Sequence, residues 1–308
     1  MFKDIVIAVT PSEICDHAAD AAFGFAKRFD AKLHLVHVCG MAQGWGQMEH
    51  LDASGTTDRI KGEIVEHYKV QLKDTANYKV SVVPGIPHNE ILRLARKDNA
   101  DLIIMGPHTK EYAEKRSKMW GMAGSTLERV AQKARCPVMV VTQEATTESG
   151  RFRNIVVATD FSEQAECAVA YGSQMARHHK SKLTVFHCID EENLSQSEIT
   201  ERSQKAKERM AKDFEPFLRG FADVDYEAWE GKPAMEILKL ARQTEAGLVL
   251  MAHHAREKDP EKAYLGSTVA QVAMNATCPT MSINRHFDLR CGMMYDQTGG
   301  VEEVAEPA

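Results

Sequence analysis

The 308 residues carry 44% hydrophobic and 27% charged side chains, which supplies sizeable cores and excludes a wholly disordered chain. A net charge of −6 argues against nucleic acid as the main partner, because proteins that ride on phosphate backbones carry a basic face. Seven cysteines without a C-x-x-C pair give no support to a zinc site or a disulfide framework and read as reduced cytosolic thiols. No run reaches 18 apolar residues, and the opening MFKDIVIAVTPSE has no small-residue cleavage site, so a soluble cytoplasmic protein without membrane insertion is expected.

In chain order, the first half alternates short β-branched runs (5–9, 33–38, 79–83, 101–105, 137–141) with helical patterns (15–29, 56–74, 87–98, 126–134). The helix at 87 starts at a Gly-x-Pro, with proline in its first turn, and Cys136-Pro137 opens the last strand. The second half gives the same succession. Strands are expected at 155–158, 182–187, 224–229, 247–251 and 280–283, and helices at 163–179, 195–219, 233–245 and 267–276. Strand–helix alternation of this kind specifies a doubly wound parallel sheet with helices on both faces.

The halves are copies. IVIAVTPSE (5–13) recurs as IVVATDFSE (155–163), AKLHLVHVCG (31–40) as SKLTVFHCID (181–190), and GIPHNEIL (85–92) as GKPAMEIL (231–238). ADLIIMGPH (100–108) recurs as AGLVLMAHH (246–254), and GSTLERVAQKARCPVMVV (124–141) as GSTVAQVAMNATCPTMSI (266–283). Five blocks in one order describe duplication of a whole domain, not a solenoid of short repeats. The expected division is a domain over 1–143, a linker over 144–153, a second domain over 154–286, and an acidic, flexible tail over 287–308.

In open α/β sheets ligands bind beyond the carboxyl ends of the strands, where the strand order reverses. The candidate loops follow strand 1 (Thr10-Pro11-Ser12 and Asp160-Phe161-Ser162) and strand 4 (Gly106 to Gly124-Ser125-Thr126, and Ala252 to Gly266-Ser267-Thr268). A Gly-Ser-Thr at a helix start offers backbone N–H groups and hydroxyls to a phosphate. The competing account is plain helix capping by Ser or Thr.

On these residues the chain resembles a tandem universal stress protein, two copies of that family's domain joined head to tail. The likeness runs from residue 2 to about 285. It rests on Asp160-Phe161-Ser162, on Gly85-Ile86-Pro87 and Gly231-Lys232-Pro233, and on the two Gly-Ser-Thr helices followed by Cys-Pro and a strand. The resemblance implies two five-stranded sheets of order 3-2-1-4-5, like those of the adenine-nucleotide hydrolases. It also implies that some members bind ATP at the switch point while others have lost the motif.

Nucleotide-binding members carry Gly-x-x-Gly, nine residues, then Gly-Ser or Gly-Thr. An aspartate after strand 1 meets the nucleoside, and a main-chain group at the end of strand 2 reads adenine. Against that pattern the first half has Gly106 but Thr109 for the second glycine, seventeen residues between Gly106 and Gly124, and Thr10 for the aspartate. The second half keeps Asp160 but has Ala252 and Ala255 for the glycines. The preferred site is therefore Asp160, Cys188, His253, Gly266, Ser267 and Thr268. The lesser one is Thr10, Val38, Gly106, Gly124, Ser125 and Thr126. The implied ligand is ATP or AMP, with Mg2+ accompanying ATP.

Other features have simpler accounts. His37 and His187 sit late in strand 2 beside Cys39 and Cys188 and read as partly buried structural side chains, while Cys136 and Cys278 read as small hydrophobes. The loop 110–120, with Trp120, reads as solvated, and His253-His254 cannot form an i, i+4 metal pair. No P-loop, G-x-G-x-x-G fingerprint, SGG-x-DS loop or HIGH-like motif is present, and no Ser/His/Asp or Cys/His grouping recurs in both halves. An efficient enzyme is not expected; slow ATP hydrolysis would remain compatible with the family. The rival to a nucleotide-binding stress regulator is a nucleotide-free interaction module with degenerate sites. The two halves are expected to pair through their apolar fifth strands as an intramolecular pseudo-dimer, with a homodimer of the whole chain as an alternative.

Overall fold

A computed structural model describes residues 2–10, 13–40, 55–106, 125–143, 152–191, 193–252 and 266–283. The loop 110–120, Thr109, Gly124, His253-His254, Ala255, the linker 144–151 and the tail 287–308 lie outside the described residues.

The first half runs β1 (Asp4–Ala8), α1 (Asp16–Phe29), β2 (Lys32–Gly40), α2 (Thr56–His67), α3 (Lys69–Lys73), β3 (Tyr78–Gly85), α4 (Pro87–Lys97), β4 (Leu102–Met105), α5 (Ser125–Lys133) and β5 (Val138–Val140). The second runs β6 (Asn154–Thr159), α6 (Glu163–His179), β7 (Lys182–Ile189), α7 (Gln196–Asp213), α8 (Glu215–Leu218), β8 (Val224–Glu230), α9 (Pro233–Gln243), β9 (Leu248–Ala252), α10 (Ser267–Asn275) and β10 (Thr280–Ile283).

Two expected helices are broken. The segment 56–74 divides at Tyr68, whose φ of −100° and ψ of 19° leave the helical region. The bend lets the Tyr68 ring and Leu72 both enter the core. The segment 195–219 divides at Phe214, also buried, with Pro216 restarting the chain in the first turn of α8. Helical periodicity alone does not reveal such a break, because both pieces keep their apolar side inward. The paired helices α1 and α6 end alike, on Asp30 and Lys180 in the left-handed region (φ 51° and 55°).

Within each half the pairing is parallel and the strand order is 3-2-1-4-5. The two five-stranded units pair through their fifth strands, as the apolar edges led one to expect, and the result is one continuous ten-stranded sheet. Its order is β3-β2-β1-β4-β5-β10-β9-β6-β7-β8. The join is an antiparallel pair in which Met139 faces Met281, Val140 faces Thr280 and Val138 faces Ser282. Left apart, β5 and β10 would each present an unpaired apolar edge to water; together they satisfy one another.

Side chains alternate across the sheet, as strand geometry requires. Ile5, Ile7, Leu33, Leu35, Leu102 and Ile104 pack on the face covered by α1, α2 and α3, while Val6, Val36, Ile103 and Met105 pack under α4 and α5. The first of these cores is continuous through both halves, reaching Ile155, Val157, Leu248, Leu250 and Met281. Phe25 meets Phe152 with ring centroids 5.6 Å apart, and Phe29 meets His178 at 5.3 Å. On the other face Ala273 of α10 belongs to the first-half core, with Ala270 and Met274 packed against it.

Met281 is fully buried in the seam strand and belongs to the shared core. Met281→Ala is expected to destabilise the chain by about 2–5 kcal/mol, read as a lower midpoint with unchanged slope in urea unfolding.

Candidate functional site

The order of strands reverses between β1 and β4 in the first half and between β6 and β9 in the second, and in open α/β sheets ligands bind at the carboxyl edge of such a reversal. In the second half the edge is built by a chain of local bonds. After Thr159, Asp160 is exposed, and its Oδ1 accepts the Ser162 N–H at 3.0 Å. Ser162 then caps α6, its hydroxyl accepting the Ala165 N–H at 3.2 Å. Phe161, between them, takes a left-handed φ of 62° and donates its N–H to the Thr159 hydroxyl at 3.0 Å.

Strand β7 supplies the neighbouring group. Lys182 donates its N–H to Arg153 on the β6 side and Leu183 to Asp223 on the β8 side. Because a parallel strand alternates its bonding direction, the Cys188 peptide faces β6. Strand β6 ends at Thr159, opposite His187, and the Phe161 N–H has turned aside, so the Cys188 carbonyl is directed past the strand end. The Cys188 thiol is turned elsewhere, donating to the Gly231 carbonyl at 3.3 Å. Burial, aided by Glu236, Asp190 and Glu230, pushes that thiol up to about 12, which removes it as a thiolate nucleophile.

The third group is the start of α10. Helix α10 leads into β10, which runs parallel to β9, so its N-terminus lies at the same carboxyl edge. Gly266 is the N-cap, with φ −57° and ψ 144°, and has no side chain with which to cap the helix. Ser267 is exposed and Thr268 half-buried. The plain capping account of Gly-Ser-Thr therefore does not describe this helix. As at every helix start, its first amides have no intrahelical acceptor; α1, α2, α4 and α9 likewise have no side-chain cap, whereas α6 is capped by Ser162 and α7 by a capping box of Ser195 and Glu198.

The first half has the same frame with different chemistry. Thr10 stands where Asp160 stands, its hydroxyl 3.3 Å from the buried Cys15 sulfur. Val38, half-buried, occupies the place of Cys188 on the β1 side of β2, since the Val9 N–H already bonds Val36. Gly106 follows β4, and Thr126 lies half-buried in the first turn of α5, which begins at Ser125.

Two duplicated features hold both edges. The Nδ1–H groups of His37 and His187 donate to the carbonyls of Val9 and Thr159, each at 2.9 Å, tying strand 2 to the end of strand 1. Gly85 and Gly231 take φ of 142° and 146°, and a side chain there would meet Glu90 or Glu236 at 2.8 Å. Only glycine satisfies both conditions.

The sequence profile of the universal stress protein family matches residues 1–142 and again residues 151–284. The chain belongs to that family. A universal stress protein of Methanocaldococcus jannaschii is 32% identical over 149 residues, covering 46% of this chain and 82% of that protein. A solved universal stress protein of Archaeoglobus fulgidus covers 92% of this chain and 96% of its own, with 16% identity and a TM-score of 0.64. A shorter one from the same organism, solved in complex with dAMP, covers 42% of this chain and 96% of its own at 19% identity and a TM-score of 0.34.

This universal stress protein also holds polar groups that no motif announced. In the first half the His34 ring lies between Asp98, 2.5 Å from Nδ1, and the Ser81 hydroxyl, 2.8 Å from Nε2. The residues come from two strands and the end of α4, so nothing in their spacing marks them. In the second copy the corresponding residues are Thr184, Thr244 and Glu227. His34 is only 2% exposed, and Asp98 also faces Lys79 at 3.9 Å. The chain acts as a polar staple under α4, remote from the carboxyl edge. Six of the seven cysteines lie among the described residues and all six are free; Cys136 and Cys278 are buried. Among the described residues no helix is long and apolar enough to cross a membrane.

Burial lowers His34 below its ordinary 6.5; Lys79 acts in the same direction, and both outweigh the pull of Asp98. Burial likewise lowers His88, His178 and His187. The unfolded chain then takes up these protons first as pH falls. Their contribution is complete above about pH 6.5 and is lost as pH drops through that value toward the lower folded ones. Thermal unfolding between about pH 8 and 5 is expected to show falling stability. His34→Gln is expected to flatten that slope by up to about 1.4 kcal/mol per pH unit.

Proposed function

We propose that this protein is a cytoplasmic stress-response regulator that binds an adenine nucleotide, ATP or AMP, in its second half. Asp160 holds the nucleoside, the Cys188 carbonyl accepts from the adenine amino group, and the amides of Ser267 and Thr268 with their hydroxyls receive phosphate. His253 stands next in sequence after β9 and completes the set. The first half, with Thr10, Val38, Gly106, Gly124, Ser125 and Thr126, forms the weaker site. The working division is 1–143 and 154–286, with 144–153 as linker and 287–308 as tail.

The observation that carries this reading is the Gly-Ser-Thr start of α10, with glycine at the N-cap, at the sheet edge shared with Asp160. A helix N-terminus concentrates unpaired N–H groups and the positive end of the helix dipole, which suits a phosphate. An exposed carboxylate and a carbonyl aimed past a strand end supply an acceptor for a ribose hydroxyl and one for an exocyclic amine. Mg2+ enters with the triphosphate. The role is binding and signalling, and any ATP hydrolysis is slow.

A second reading, a nucleotide-free interaction module, draws support from Thr10. Its hydroxyl lies against Cys15 where the better-equipped half has a carboxylate. Calorimetric titration of the full chain with ATP and AMP, with and without Mg2+, separates the two readings. Wild type is expected to bind. Asp160→Ala is expected to weaken binding by about tenfold or more, the loss of a charge-assisted hydrogen bond. No heat from wild type at high concentration would favour the interaction module.

A further inference from the structure

The residue that follows Asp160 is held more firmly than a surface loop residue needs to be. Phe161 is a bulky side chain at φ 62°, in the left-handed region that such residues avoid. Three partners surround its ring. His187 lies with its centroid 4.5 Å away, Phe214 stacks parallel within 10° at 6.3 Å, and the Arg209 guanidinium sits 4.0 Å over the ring centre. Phe214 is buried at the end of α7, and His187 is anchored through Nδ1 to the Thr159 carbonyl. Arg209 in turn donates from Nε to Asp213 one turn later, at 3.0 Å, which fixes the plane of its fork.

The left-handed Phe161 is what reverses the chain between Thr159 and Ser162. That reversal brings the Ser162 N–H onto the Asp160 carboxylate. The direction of the carboxylate therefore depends on the conformation of its neighbour, and that conformation is held through the ring. The first copy has Pro11 at the corresponding sequence position, so the ring and its cation belong to the copy that kept the aspartate.

We propose that Arg209 is a positioning residue for the second-half nucleotide site, gripping Phe161 so that Asp160 is presented at the sheet edge. The proposal rests on the nucleotide reading above. It joins helix α7, which carries Arg209, to nucleotide occupancy at the end of β6.

The test is a double-mutant cycle on the full chain, with ATP as the titrant. Arg209→Ala is expected to weaken binding by about threefold to tenfold, the range of a cation over an aromatic face. Arg209→Lys, which keeps a cation over the ring, is expected to recover most of it. In the Asp160→Ala background Arg209→Ala is expected to add less than about twofold, because the group it positions is gone. Amide exchange gives a readout that needs no ligand. The Phe161 and Ser162 amides are expected to exchange faster in Arg209→Ala and to stay near wild type in Arg209→Lys. Wild-type affinity in Arg209→Ala, or an undiminished loss in the Asp160→Ala background, overturns the positioning role while leaving the nucleotide reading intact. Absence of heat with wild type overturns the nucleotide reading and this site role together. Unchanged Ser162 exchange in Arg209→Ala overturns the grip itself.

Discussion

The antiparallel pairing of β5 with β10 is the contact on which the rest of this molecule depends. It is short, three residues of β10 against three of β5, and every one of those residues is buried. Without it, each half would expose an apolar strand at the outer edge of its own sheet, an invitation to pair with whatever strand is nearest. With it, ten strands form one sheet, and helices from both halves can pack across the join. Thr142 reaches over to the Ala276 carbonyl at 3.2 Å, and the aromatic contacts of Phe25 and Phe29 close the opposite face. One core thus runs through both copies.

Sharing a core leaves the copies unequal freedom. Positions that hold the frame have stayed alike: His37 and His187 make the same bond, Gly85 and Gly231 the same left-handed turn, Asp30 and Lys180 the same helix end. Positions that face the crevice or the outer strands have separated. The second copy has an aspartate in an Asx turn and an aromatic ring under a guanidinium. The first has a threonine against a cysteine and, elsewhere, a buried histidine stapled to Asp98 and Ser81. The frame positions are constrained by backbone geometry, which a substitution cannot evade.

Much of this was legible in advance, and the reasons are local. Strands buried on both faces read as unbroken apolar runs, so β1, β4, β6 and β9 could be placed within a residue or two. The Gly-x-Pro starts of α4 and α9 follow from proline's fixed φ, and the final strand follows a Cys-Pro in both copies. The break at Tyr68 was not legible, because it arises from a ring entering a core that the local pattern does not describe, whereas the break at Phe214 had a local sign in Pro216, inside the expected helix. Nor was the staple around His34, whose partners lie 47 and 64 residues away. At the candidate site, Asp160 and Gly266-Ser267-Thr268 stood out as motif residues, whereas Arg209 had no signal, since a cation on a polar helix face is ordinary until its aromatic partner is seen.

The amino-acid sequence by itself determined the duplication, the α/β class and the positions at which the two copies differ, because periodicity and repetition are properties of the chain read in order. Tertiary structure alone decided that one core runs through both copies and that Phe161 lies between His187 and Arg209. Each of these is a relation between residues far apart in the chain, set by which surfaces must leave water together, and no local pattern carries that information.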